Sequence, residues 1–169
     1  MMGMRSNRTI ESNSDSIPGQ EMLGTLPLAG LLLLTLNDHY WKYAFPGFWT
    51  GKISDFAGML FFPFLLTATV SWCLFGIDTL LAKFRPGSRR LRYGLSRPRL
   101  TVAVIATGLA LAAINIVPEC QELYLLALTS LKLGIWSKPG YTMDPSDLSA
   151  LLLLPFVWVW GARKCIGTK

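Results

Sequence analysis

Charge is scarce in this sequence. Asp, Glu, Lys and Arg make up 15% of it, against roughly 25% in an ordinary soluble domain, which is too little to cover a water-facing surface. Histidine is nearly missing: His39 stands alone, and the usual zinc sites need several ligands at set spacings. Cys73, Cys120 and Cys165 form no CxxC pair and are odd in number, so they cannot all be bridged internally and are expected as free thiols. No GxSxG, HExxH or phosphate-loop motif occurs, and no repeat at solenoid periods is visible. No cofactor or metal is implied, with metal binding through carboxylates alone left open.

What is present is apolar. Hydrophobic residues are 51% of the chain and mean hydropathy is +0.40, so lipid is the expected solvent. The net charge of +6 does not point to nucleic acid, because 12 of the 16 Lys and Arg flank apolar runs and no basic-aromatic groove is seen. The expected fold is all-α, an integral membrane four-helix bundle. Residues 1–20 read as a disordered cytoplasmic tail without the apolar stretch of a signal peptide, 21–162 as a four-span membrane domain, and 163–169 as a basic cytoplasmic tail.

The first run starts at Met22 and reaches membrane length only if it continues through Asn37-Asp38-His39-Tyr40-Trp41. The second covers about Ile53 to Ile77 with Pro63 inside, the third Leu100 to Val117, and the fourth Leu148 to Ala162. Leu123–Trp136 is apolar but short and carries Lys132, so an interfacial or re-entrant helix between spans three and four is expected there. With four spans, Lys and Arg divide 12 to 4 between the two sides. The positive-inside rule then puts both termini in the cytoplasm.

Six of the ten acidic residues fall on the predicted outer side: Asp38, Asp55, Glu119, Glu122, Asp144 and Asp147. His39, Lys42 and Lys52 share that side with Asn37, Thr50, Ser54 and Gln121. All lie near span ends and should meet in one shallow layer, and ionisable groups at membrane depth are functional candidates by default. Helix capping competes with that reading. Asp144-Pro145-Ser146-Asp147 has the pattern of a helix start, and Ser54 can cap the second span with Asp55 favoured by the helix N-terminus. Asp38, expected at the C-terminal end of the first helix, is opposed by the dipole and needs a partner, either Lys42 four residues on or Lys52 across the loop. Glu119 has the same difficulty unless a new helix begins at Pro118. The candidate catalytic residues are Asp38, Lys52, Asp55, Glu119 and Asp147; candidate substrate-binding residues are His39, Lys42, Gln121 and Asp144.

The stretch Lys52-Ile53-Ser54-Asp55-Phe56 is similar to the Lys-x-x-His-Phe motif opening the second span of the VanZ-like family of small multispan bacterial membrane proteins. Glu119-Cys120-Gln121-Glu122 resembles the Glu with nearby Gln that follows that family's third span, and Asp147-Leu148 its acidic opening of the last span. The chain departs from the pattern where Asp55 replaces the histidine, where Lys138 is the nearest base to the family's arginine, and at Leu151, where Asn is frequent. The resemblance covers roughly 22–160 and implies an envelope location. The functional expectation is a protein that binds or processes a cell-envelope lipid or glycolipid-linked molecule in an outward-facing polar pocket. Its partners would be membrane lipids, including an anionic envelope lipid held by the lysines. A non-catalytic structural subunit, alone as a homo-oligomer or within a larger membrane complex, is the alternative; small residues in the third span would permit close helix contact. A transporter ranks behind both.

Overall fold

A computed structural model describes residues 17–84, 93–130 and 144–165, with the side chains of 128–130 excepted. It is mostly helical, with no strand among these residues. A 3-10 turn, Gln20–Leu23, leads into α1 (Thr25–Leu36). A π-helical turn, Asn37–Trp41, and a last short turn, α2 (Lys42–Ala44), continue it. Helix α3 runs from Phe48 to Phe84, α4 from Arg97 to Ile116, and α5 from Pro118 to Ser130. The final helical run opens as 3-10 helix over Pro145–Leu153 and becomes α6 at Leu154–Lys164.

Three of these helices are long and apolar enough to cross a membrane: Phe48–Phe84, Arg97–Ile116 and Pro145–Lys164. Their outward faces carry large apolar side chains such as Leu66, Val102, Leu109 and Phe156, a surface suited to lipid because a helix bonds its interior backbone groups within itself. The core is a seam where α3, α4 and α6 meet. Phe64, Leu100 and Val157 are fully enclosed there, with Met59, Val104 and Leu154 around them. Trp158 Nε1 donates to Thr101 Oγ1 at 2.9 Å, tying α6 to α4. Helix α1 lies along α3, and Gly30 sets the distance: a Cβ there would stand 2.9 Å from Leu60 Cβ and 3.0 Å from the Ala57 carbonyl oxygen.

Several boundaries differ from the sequence expectation. Helix α3 begins at Phe48 rather than Ile53 and passes through Pro63 as one helix to Phe84, beyond Ile77. Thr50 explains the early start. Its hydroxyl donates to the Gly47 carbonyl at 2.8 Å and accepts from the Gly47 N–H at 3.3 Å, the backward-reaching half of a capping box. Ser54 therefore does not cap α3; it lies inside it, and Asp55 is beyond the first turn, where the favourable end of the dipole has faded. A new helix does begin at Pro118, so Glu119 sits in the first turn of α5. Helix α5 carries the first part of the apolar stretch Leu123–Trp136. The remainder, with Lys132, lies outside the described residues, as do Lys138 and residues 1–16 and 166–169 of the two tails.

Candidate functional site

The two ends of α3 each hold a polar cluster. At the Lys52 end, the α1–α3 hairpin meets the start of the last helical run. Asp144 caps that run: its Oδ1 accepts from the Ser146 N–H at 2.9 Å and the Ser146 hydroxyl at 2.6 Å. Those bonds, then the Lys52 ammonium, hold the Asp144 carboxyl below the usual carboxylate range, with burial opposing them. Pro145 takes the first helical position, where its missing N–H costs nothing.

Lys52 is buried, 8% exposed, and its Nζ is the hub. It donates to Asp147 Oδ1 and Ser146 Oγ, and to Asp144 Oδ2 at 3.3 Å. The ammonium also stands 4.9 Å from the centroid of the Phe48 ring, a cation–π geometry. Three donors thus meet three oxygens, as an ammonium requires. Asp55 approaches Asp147 closely enough for their carboxyls to hydrogen-bond, within the field of both Lys52 and Lys42. A bond between two carboxyl groups needs a proton on one of them.

A second strand of the network runs beside the first. Asn37, fully buried, donates through Nδ2 to the Thr50 carbonyl at 2.6 Å and to Ser54 Oγ at 2.7 Å. Ser54 donates to Asp38 Oδ1 at 2.7 Å, and Lys42 pairs with the same carboxylate at 2.7 Å. The alternatives for Asp38 are thereby resolved: Lys42 is its partner, and Lys52 turns the other way. Its helix-end difficulty is also smaller than expected, because the helical run continues to Ala44. Asn37 Oδ1 is buried without a hydrogen-bond donor. Tyr124 on α5 lies near the charges of Asp38 and Asp55.

Of the candidates, Asp38, Lys42, Lys52, Asp55, Asp144 and Asp147 come together in this layer. Glu119 is exposed on α5 and takes part in none of these contacts. His39 is exposed and its Nδ1 lies 3.1 Å from the Thr35 carbonyl in the preceding turn; Gln121 is half-buried on α5 and joins none of the bonds described above. The sequence reading left Asn37, Thr50, Ser54, Ser146 and Tyr124 off the candidate list. Ser146 had a signal, since it sits inside the Asp144-Pro145-Ser146-Asp147 helix start. Among the described residues no group of three acidic, His or Cys side chains is placed to hold a metal ion.

The opposite end carries a cluster that the sequence did not single out. Tyr93 donates its phenol to the buried Asp78, and the Ser71 hydroxyl donates to the Tyr93 carbonyl at 2.8 Å while lying 3.2 Å from Glu21 Oε1. Arg99 Nη1 reaches the same carbonyl at 3.5 Å. These bonds tie the segment before α1 and the approach to α4 onto α3. Comparison with protein-family models, curated proteins and solved structures finds no match to this chain.

Proposed function

We propose that this chain is a four-span protein of a bacterial inner membrane, with both termini inside, whose Lys52 end holds the polar part of a cell-envelope lipid or glycolipid-linked molecule. Taken as one run, Thr25–Ala44 is long enough to serve as the first span, since a helix needs about 20 residues to cross the hydrocarbon core. The 12-to-4 division of basic residues supports the orientation, and the order of motifs resembling the VanZ-like family supports the envelope location.

One observation carries the functional reading: the Asp55–Asp147 contact beside the buried Lys52, at the end of an apolar bundle. Lys52 holds Asp147 by a hydrogen bond and does not bond Asp55, which leaves Asp55 as the carboxyl able to give or take a proton at a bound headgroup. Such a pair of carboxyls in unlike surroundings is an acid–base arrangement. Both lysines already hold carboxylates, Lys42 on Asp38 and Lys52 on Asp144 and Asp147. An anionic headgroup would therefore have to compete with those carboxylates, and the cluster suits a ligand offering hydrogen-bond donors better.

Native mass spectrometry of the protein released from its own membrane tests this reading. A lipid or glycolipid retained by the native chain and lost from Asp55→Asn is expected. Equal retention by both, or none by either, overturns it. The internal pairing of both lysines also fits a structural subunit, for which a protein partner would co-purify in place of lipid and persist in Asp55→Asn.

A further inference from the structure

The site lies between two irregular helical turns. On one side is the under-wound π turn Asn37–Trp41, and on the other a 3-10 run of nine residues, Pro145–Leu153. Turns of 3-10 helix are frequent at helix N-termini, but runs longer than three or four residues are uncommon, because their hydrogen bonds are poorer than those of an α-helix. Something must hold this one. Packing acts on its inner face, where Ala150 is buried and Leu151 and Leu153 are partly buried against the core. Beyond it, the fixed part of the helix begins with Leu154, Val157 and Gly161, all buried. The strongest attachment of the 3-10 run is at its start, where Lys52 grips Asp144, Ser146 and Asp147.

We infer that Pro145–Leu153 is a gate over Asp55, held in its 3-10 form by Lys52 and able to relax to α-helix when that grip is released. The geometry of the change follows from the two helix types. A 3-10 helix turns about 120° and rises about 2.0 Å per residue; an α-helix turns about 100° and rises about 1.5 Å. With Leu154 fixed, relaxation draws Asp147 about 3.5 Å along the axis and turns it by about 140°. That rotation takes its carboxylate away from both Lys52 and Asp55, and Asp55 is opened to whatever approaches from the membrane surface. The fixed end is well seated: Gly108 on α4 lets Leu154 pack so close that a Cβ there would stand 2.8 Å from Leu154 Cδ1. A ligand able to displace Asp147 from Lys52 would drive the change by binding the open form better. The inference rests on the proposed function only for what the gate admits; the movement itself is independent of any ligand.

Distances between spin labels test the movement directly. Labels are placed through Ser149→Cys and Leu80→Cys, both at exposed positions, in a full-length chain whose native cysteines are replaced by serine and which is held in lipid nanodiscs. Relaxation shifts Ser149 by about 2.5 Å along the axis and turns it by about 100° relative to Leu154. A single distance is expected with Lys52 present, and a second, displaced population with Lys52→Met. Lys52→Arg keeps the pairing and should keep the single distance. Should Lys52→Met fail to fold, Asp147→Asn, which leaves the bonds to Asp144 and Ser146, is expected to show the displaced population in smaller proportion. Unchanged distributions in the folded variants overturn the gate while leaving the lipid-binding proposal standing; loss of lipid retention with a normal shift does the reverse.

Discussion

Replacing Lys52 with Met keeps most of the apolar stem and removes the ammonium that three side chains share. The Lys52 and Asp147 side chains are 10% and 13% accessible, whereas that of Asp144 is 40% accessible. Exposed pairs are worth about 0–1 kcal/mol, and breaking a buried pair on one side costs about 3–5 kcal/mol. The Lys52–Asp147 pair lies nearer the buried limit, but water reaches the cluster from the Asp144 side. An expected loss of about 2–3 kcal/mol for Lys52→Met follows, most of it from leaving Asp147 uncompensated beside Asp55. Asp147→Asn should cost less, since Lys52 retains Asp144 and Ser146. The double mutant should recover about 1 kcal/mol or more of the summed losses, because neither partner is then left as a lone charge. Reversible denaturation in mixed micelles, followed by tryptophan fluorescence, measures all three. Additive effects would mean that the two charges do not interact in the folded protein, and the hub role of Lys52 would fall with them.

Three further outcomes are expected. Gly30→Ala places a methyl against the Ala57 carbonyl, which cannot yield as a side chain could, so α1 should separate from α3 and stability fall by about 1–3 kcal/mol, read as a lower melting temperature. The Asp144 carboxyl is held below its ordinary range by Ser146 and then Lys52; its contribution is present above the unfolded carboxylate pKa and lost as pH falls below that range. Ser146→Ala should therefore shift the acid loss of stability to higher pH in melts across a pH series, and an unmoved profile would contradict the assignment. Reporter fusions after Arg99 and after Lys169 should report cytoplasm and one near Gly47 the exterior; a C-terminal reporter found outside would require a further crossing between Pro118 and Pro145.

Much of the architecture was legible as hydropathy. The runs that became α3, α4 and the Pro145–Lys164 helix stand out because lipid-facing and core-facing positions are both apolar, and Asp144-Pro145 announces a helix start by local chemistry alone. Helix ends were less legible wherever they were set by short-range hydrogen bonds rather than by hydropathy. Thr50 reaching back to Gly47 starts α3 a turn and a half early, and this displaced Ser54 and Asp55 from the capping roles assigned to them. The polar layer was legible as a set of residues but not as pairings. Lys42 and Lys52 are both near Asp38 in sequence; only the packing of the last helical run against α3 decides that Lys52 turns to Asp147. The π turn has no visible signal beyond a buried Asn, a residue poorly suited to a helix interior. The Asp78–Tyr93 cluster was hidden for a related reason: its members are drawn from three segments that hydropathy treats as separate loops and helix ends.

That second cluster gives the molecule a length. Lys52 and Asp78 are both buried on the single helix α3, and at about 1.5 Å per residue their Cα atoms stand about 39 Å apart along its axis. A bilayer measures roughly 30 Å across its hydrocarbon and about 40–45 Å with its headgroup regions. Each charged residue is fixed in position by partners from other segments, Lys52 by the start of the last helical run and Asp78 by Tyr93. The protein thus holds two charge clusters about one bilayer's width apart. In a thinner membrane it must tilt, or drag a charge cluster further from the interface, each at a modest cost per ångström of mismatch.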